Sequence, residues 1–565
     1  MWIFGSLARR LEASRAGREV LHFYEDQEWQ FSPLERGVIP GSAPTPVQPP
    51  GRRISYALTS VLVGITGGLG NAIVAADLPS LQGALGLDLA EVAWLPTVYL
   101  ITNAVAGCVL VKYRQQFGIR SFCLIFLSLH VICIVAHLFV RGLLSAIAVR
   151  AAGGVVASAL TSLSVFYMIQ ALPREYRLRA LVLGIGLPQL ALPLARLFLL
   201  ETLAIDSWDG PYLLELGLSL LTLAVVMTVR LPANKKVKAF ELLDLVSFSF
   251  YAAAISLFGS AVGMGSYLWW TDQKWIGYCL AFSIPCLIIA LTVEFFRERP
   301  LIDIRWLSGL VLVRFAVVAI LARIVLSEQA VGAIGLLRDF GLMNDDFRSL
   351  SLLIFCAAVA GLAISTIAVG PMRLTPLVML AVALVALGAY MDTSASLLTR
   401  APQLYATQMS IAFATTLFIG PSYVFGLSKV IAEGGSRMTS FVALFGMAQS
   451  IGSLIGTSVI QSYLVYAQHY HLADLRGQLT SFSPKVSSDV ISLADLYSGS
   501  VSDTARQTAE GLAMLSRQLS LYARVAAYDD VFFMISLIAS ATTVLLLIVI
   551  ANAFWLKSRT TGPRK

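Results

Sequence analysis

The 565-residue sequence predicts an all-α membrane protein with fourteen spanning helices, on three observations. First, 57% of the residues are hydrophobic, only 13% are charged, and the mean hydropathy is +0.77. A soluble globular chain is about 45–50% apolar and about 25% charged, so this composition belongs to another class. Second, the apolar residues fall in repeated runs of about 20, each long enough as a helix to cross a hydrocarbon core of about 30 Å. Third, the loops between the runs alternate in their content of Lys and Arg, as in a chain threaded back and forth across a bilayer.

The spans are expected at 55–77, 90–110, 120–140, 144–170, 178–200, 211–231, 244–265, 276–296, 310–336, 349–369, 374–391, 403–430, 438–466 and 530–556. Ahead of them, Trp2, Ile3, Phe4, Leu7 and Leu11 recur at helical spacing against Arg9, Arg10, Arg15 and Arg18. Two readings stand for this tail of residues 1–53: a basic amphipathic helix on the inner leaflet, or a partly disordered segment. The Pro/Gly/Ser-rich stretch PGSAPTPVQPP (40–50) then reads as a linker. With no basic n-region, short apolar run and cleavage site, span 1 is expected to be an uncleaved anchor.

Loops on one side carry 23 Lys and Arg, among them Arg52, Lys112, Arg174, Lys236, Arg297 and Lys429, and short loops on the other carry five: Arg141, Lys274, Arg338, Arg348 and Arg400. The rule that cytoplasmic loops are the basic ones places both termini inside. It also accounts for the net charge of +8 without nucleic acid, since no basic stripe with interleaved aromatics occurs. Residues 467–529, between the last two spans, then form an outsized polar external segment. Leu512, Leu515, Leu519 and Val525 recur within it at helical spacing, and a loop this long is expected to have structure and a docking role.

The six cysteines fall nearly all inside apolar runs, with no CxxC spacing, and read as small core hydrophobes rather than metal ligands. No GK[ST] follows any Gly-rich turn, so nucleotide-driven transport has no support, and Gly64-x-x-x-Gly68 and Gly452-x-x-x-Gly456 read as helix-packing faces. No cofactor is expected.

Several motifs in order resemble the major facilitator superfamily, specifically its fourteen-spanner drug:proton antiporter branch of EmrB type. Span 1 ends NAIVAADLPSLQGALG (71–86). Span 2 holds Trp94-Leu-Pro-Thr-Val-Tyr99 with Asn103, and span 4 holds Arg150-Ala-Ala-Gly-Gly154. FFRERPLIDIRWL (295–307) precedes span 9, and GSLIGTS (452–458) and LTSFSP (479–484) follow. The resemblance implies two six-helix bundles, 54–231 and 307–565, with 232–306 an inserted helix pair at their interface, and alternating access to a midplane cavity. It further implies a proton antiporter in a tripartite assembly with a periplasmic adaptor and an outer-membrane channel, in a bacterial inner membrane. The sequence also departs from the pattern. Gly70 stands where the family has an acid in span 1. Lys112 replaces the acid of the loop 2–3 motif, here Gly107, Lys112, Arg114, Gly118 and Arg120, which corresponds to the conformational-gating loop. In span 5, LPQLALPLARLF (187–198) replaces a Gly-rich motif.

Charged groups inside a bilayer cost at least about 2.5–3.5 kcal/mol each, so each needs a reason. Asp77, Glu201 and Glu328 are candidates for proton coupling, because a carboxyl in an apolar site is suited to carry a proton; Arg150 joins them because it matches a position that the resemblance links to coupling. Arg196 and Arg323 are the candidates to meet an anionic part of a substrate, with Asn103, Gln403, Gln408, Tyr423 and Gln449 as polar companions. The alternative is that these charges pair across helices or snorkel to an interface. His130 and His137 share a face but lack a third ligand, and read as core histidines. The expected function is export of a small amphiphilic, anionic compound. A degenerate transporter serving as a docking or sensing subunit is the first alternative. A polytopic transferase is the second, with His469, His471 and Asp474 offering no convergent cluster.

Overall fold

The structure, a computed structural model, describes Glu35, residues 42–202 and residues 209–560, apart from positions 235, 299, 343, 434, 436, 479–483, 497–498 and 500–502. The amino-terminal amphipathic segment therefore lies outside the described residues, and so does the side chain of Glu201. Among the described residues, fourteen helices are long and apolar enough to span: α1 (Pro50–Ala76), α2 (Leu89–Phe117), α3 (Ile119–His137), α4 (Leu143–Ala171), α5 (Arg174–Phe198), α6 (Asp209–Thr228), α7 (Leu242–Leu268), α8 (Lys274–Phe295), α9 (Leu310–Asp339), α10 (Arg348–Ala368), α11 (Leu374–Asp392), α12 (Ala401–Ala432), α13 (Met438–Gly477) and α14 (Thr504–Asn552). The helices alternate between the terminal face, where α1 begins, and the stalk face, where α13 and α14 project.

Local chemistry sets the helix ends. Asp88 and Glu91 cap α2 reciprocally, each side chain accepting from the other's backbone N–H, at 2.6 and 2.9 Å. Gly118 alone separates α2 from α3, and its φ of 88° is a conformation that glycine adopts at least cost. Loop residues 231–240 clamp this corner. Asn234 Oδ1 accepts from Ile119 N at 2.7 Å, and Val237 N donates to Gln115 O at 2.9 Å. The Pro-rich stretch before α1 is docked on the terminal face: Gln170 Nε2 donates to Pro44 O at 2.9 Å, and Arg177 bonds the Thr45 hydroxyl.

Packing repeats with a shift of eight helices. In the first bundle α4 packs on α1, α2 and α3, α6 on α3, and α5 on α1. In the second, α12 packs on α9, α10 and α11, α14 on α11, and α13 on α9. The bundles meet through α2 with α13 and through α5 with α10, two contacts that the same shift interchanges. This is the pseudo-symmetry of a duplicated helical repeat. The small-residue faces lie at matching places. A Cβ on Gly68 would stand 2.6 Å from Ala191 Cβ on α5, and one on Gly456 would stand 2.6 Å from Ser327 Oγ on α9. Close backbone approach of this kind replaces the hydrophobic drive that is absent between helices in lipid.

Helices α7 and α8 pair with each other, and α7 packs on both bundles, through α2 and α13. Trp270 at its end donates Nε1–H to Ser462 Oγ at 2.9 Å. The final helix begins at Thr504, some 26 residues before the expected start of span 14. The external segment is thus largely helical: α13 continues to Gly477, α14 starts at Thr504, and a helix at Pro484–Asp495 packs on α14. At its base, Tyr528 Oη donates to Asp339 Oδ2 at 2.7 Å and His471 Nε2 lies 2.8 Å from Asp530 Oδ2.

Candidate transport site

A cavity of about 220 Å³ lies between the bundles, lined by α2, α4 and α5 on one side and by α9, α12 and α13 on the other. Its polar groups come from the bundle-crossing helices. Asn103 Nδ2 donates to Gly154 O at 3.2 Å, and its Oδ1 accepts from Ser450 Oγ of α13 at 3.0 Å, so one side chain bridges the two halves. Arg323 of α9 reaches the cavity because Gly452 lets α13 approach its stem, where a Cβ would stand 3.1 Å from Arg323 Cβ. Its Nε donates to Gln449 O at 3.3 Å, and among the described residues no carboxylate pairs with it. Gln449 Nε2 also lines this space without a partner. The cavity therefore offers unpaired N–H donors and a cation, while Tyr423, packed on Phe441 and Phe445, and Gly107 form its apolar wall.

The other sequence candidates sit elsewhere. Gln403 is exposed and caps the start of α12, accepting from Arg400 N at 2.8 Å, because a glutamine in the first helical turn reaches back to an orphan N–H. Arg196 is buried but does not line the cavity; it lies toward the stalk face within the field of Arg338, which donates to Ala76 O at 2.6 Å. Asp77 is at that same closure, as the cap of the short helix Leu78–Leu85, accepting from Ser80 N at 3.4 Å. Arg196 and Arg323 thus do not share a binding surface. The gating-loop residues are anchored: Lys112 pairs with Asp244, Arg114 lies over the Phe166 ring at 4.3 Å, and Arg120 Nε donates to Leu231 O at 3.4 Å.

Gln408 joins two carboxylates behind the cavity. Its Nε2 donates to Glu328 Oε1 at 3.3 Å and to Asp392 Oδ2 at 3.1 Å; Glu328 is fully buried and Asp392 is 4% exposed. Glu328 directly precedes a π-helical turn, Gln329–Ala333, a distortion that frequently marks functional places in helices. The sequence singled out Glu328 and Gln408 but not Asp392, which falls one residue past the expected span 374–391.

In the first bundle Arg150, 2% exposed, ties α4 to its neighbours. Its Nη1 donates to Gly70 O, Nη2 to Asn71 Oδ1 at 2.9 Å and Nε to Leu95 O at 3.3 Å, and the guanidinium lies over the Tyr99 ring at 4.4 Å. The sequence left this bundle without an acid at Gly70. The structure supplies one from α6: Glu215 Oε1 lies 3.1 Å from where a Cβ on Gly70 would stand. A signal was present, since Glu215, Ser219 and Thr222 share a helix face at i, i+4 and i+7. His130 and His137 do not meet; the His137 ring stacks on Tyr212 at 4.6 Å. Among the described residues no group of His, Cys, Asp or Glu could hold a metal.

No family model matches the chain, and no curated protein matches it significantly. Solved structures do. The human organic anion transporter MFSD10 is 13% identical, over 87% of this chain and all of that one, with a TM-score of 0.52. A structure described for substrate recognition in proton-dependent oligopeptide transporters is 13% identical, over 88% of this chain and 98% of that one, with a TM-score of 0.55. Tetrameric PepTSo2 is 10% identical, over 89% and 99%, with a TM-score of 0.53. The first two are described as transporters. At such identities the likeness is one of architecture. With the fourteen spans and the eight-helix shift, it makes this chain a multi-pass membrane protein of the major facilitator fold.

Proposed function

We propose that the chain is a secondary active transporter that exports a small amphiphilic anion from the cytoplasm of a bacterium in exchange for protons. The observation that carries this reading is Arg323, a cation at the bundle interface with no carboxylate partner and an unpartnered Gln449 amide beside it. A half-buried arginine left in this state on a cavity wall is a site for a carboxylate, sulfonate or phosphate group. The apolar wall of Tyr423 and its neighbours suits the remainder of an amphiphile. The organic-anion substrates named for MFSD10 agree with this chemistry.

Proton coupling is assigned to Glu328 and Asp392. Two carboxylates share one neutral amide, with no cation among their described neighbours, so the arrangement is stable with one proton held between them. The basic terminal face is placed in the cytoplasm, with the inner membrane as location. The resemblance to EmrB-type exporters assigns the stalk to a periplasmic adaptor and, beyond it, an outer-membrane channel. A docking or sensing subunit is the second reading, favoured by the rewritten motifs at Lys112 and 187–198.

The test is uptake of matched anionic and cationic amphiphilic dyes into inverted vesicles with an acidic lumen. Wild type is expected to concentrate the anionic dye, and collapse of the pH gradient is expected to stop it. Gradient-independent or absent uptake of every dye overturns the transporter reading in favour of the subunit.

A further inference from the structure

Glu215 has a setting that the reading above does not use. It is 1% exposed on α6, and neither of its carboxylate oxygens has a hydrogen-bond partner among the described residues. A permanently ionised carboxylate so placed has no hydrogen bond to offset its desolvation inside the bundle, and intramembrane acids that persist mark ion and proton pathways.

Polar groups lie on either side of Glu215. Toward the stalk face, a vestibule of about 210 Å³ is lined by Arg150, His137, Asp209 and Tyr212. Toward the core, Glu215, Ser219 and Thr222 repeat on one face of α6, all at most 1% exposed, over about 10 Å of helix. Thr222 Oγ1 lies 2.9 Å from Thr66 Oγ1 of α1, and Ser219 Oγ has no partner. Gly70 of α1 leaves the space into which the carboxyl projects. The groups facing Glu215 are Tyr99 from α2, Cys133 from α3 and Arg150 from α4, with His130 and His137 farther along α3; α1 contributes Asn71 but no titratable side chain.

Arg150 has donors to spare. Among the described residues its hydrogen bonds use one N–H from each nitrogen, and each Nη carries a second N–H. In the state seen, those bonds hold α1 and α2, and Glu215 has no donor. A turn of the guanidinium off Gly70 O would bring a donor to the carboxylate beside it.

We infer that Glu215 is a second proton-exchange site, reached from the stalk face through the vestibule and gated by Arg150. A proton from vestibule water adds to the carboxylate to give the neutral acid while Arg150 holds α1; its return to the vestibule leaves the carboxylate to Arg150, which lets go of α1. Protonation is thereby linked to the contact between α1 and α4. The inference rests on the proposed proton-coupled transport, but its test needs no substrate.

The test uses the full chain in lipid nanodiscs. A hydrophobic carbodiimide, which reacts with protonated membrane-embedded carboxyls, is expected to label the wild-type peptide containing Glu215, with labelling that falls as pH rises. Infrared difference spectra are expected to show a carboxylic-acid band that shifts in D2O and is lost in Glu215→Gln. Transfer of the acid across the gap, in Glu215→Gln/Gly70→Asp, is expected to restore an exchangeable band. Absence of label at Glu215 at every pH while Glu328 is labelled overturns the inference, as does a Glu215 band that never exchanges with D2O. Loss of dye transport with labelling and exchange intact sinks the transport reading and leaves the site standing.

Discussion

Lys112 Nζ lies 2.7 Å from both carboxylate oxygens of Asp244, joining α2 to α7 at the terminal face with both side chains nearly buried. Asp244 also receives Arg297 at 2.8 Å, and Arg297 in turn meets Glu294 and Glu241, each at 2.8 Å. Lys112, which stands where the resembled motif has an acid, is thus matched by an acid on α7. Removing one partner of a buried pair leaves the other charge uncompensated, at about 3–5 kcal/mol. Asp244→Ala is expected to lower the thermal unfolding midpoint in detergent steeply, and Lys112→Met/Asp244→Leu to recover most of the loss. Equal midpoints for the single and double variants would show the pair to be energetically idle.

Arg323→Ala should weaken binding of an anionic amphiphile by roughly 10- to 100-fold, the equivalent of a charge-assisted hydrogen bond worth about 1.5–3 kcal/mol. Binding of the matched cationic compound should be unchanged or stronger. Equal loss for both classes, by fluorescence titration of purified protein, contradicts an anion site.

Glu328→Gln and Asp392→Asn each remove one of the two carboxylates that Gln408 Nε2 joins. Both variants are expected to fold, since an amide replaces a carboxyl of the same size. Substrate-dependent proton movement, followed with a lumenal pH dye in proteoliposomes, should be lost in Glu328→Gln and reduced in Asp392→Asn. Wild-type proton movement in Glu328→Gln would remove Glu328 from the mechanism.

The Asn103–Ser450 hydrogen bond crosses the bundle interface at 3.0 Å. If the bundles part during transport, Asn103→Cys/Ser450→Cys should arrest dye uptake on oxidation and recover on reduction. Uptake that continues with the disulfide formed would rule out separation at this point.

Gly68→Val pushes a side chain onto Ala191, 2.6 Å from the built Cβ, whereas nothing lies within 4 Å of a Cβ on Gly83. Overpacking costs about 1–3 kcal/mol. Gly68→Val should therefore lose folded yield and thermal stability, and Gly83→Ala should match wild type within error.

Hydropathy made all fourteen spans legible to within a few residues at most ends, because a bilayer-crossing helix must be apolar over its whole length. It failed at α14, where residues 504–529 are polar on one side and the helix continues regardless. Small residues at four-residue spacing identified both packing faces, since only their steric size matters there. Site residues were harder. Arg323, Asn103, Tyr423 and Gln449 do converge on one cavity, but Gln403 was indistinguishable in sequence from a cavity glutamine until its capping role was seen. Asp392, Asp244 and Glu215 all lie near span ends, where an acid is ordinary in the headgroup layer. Only packing shows that their side chains turn inward.

The helical extension of α14 has a mechanical side. From the Tyr528–Asp339 contact to Thr504 the helix runs for 24 residues, about 36 Å at 1.5 Å per residue. Because the same helix packs on α11 within the bundle, it would work as a lever arm if the bundles rock during transport. A tilt of the bundle by about 10° sweeps its tip through about 6 Å. Any protein seated on that tip would feel each cycle as a stroke rather than meet a static platform.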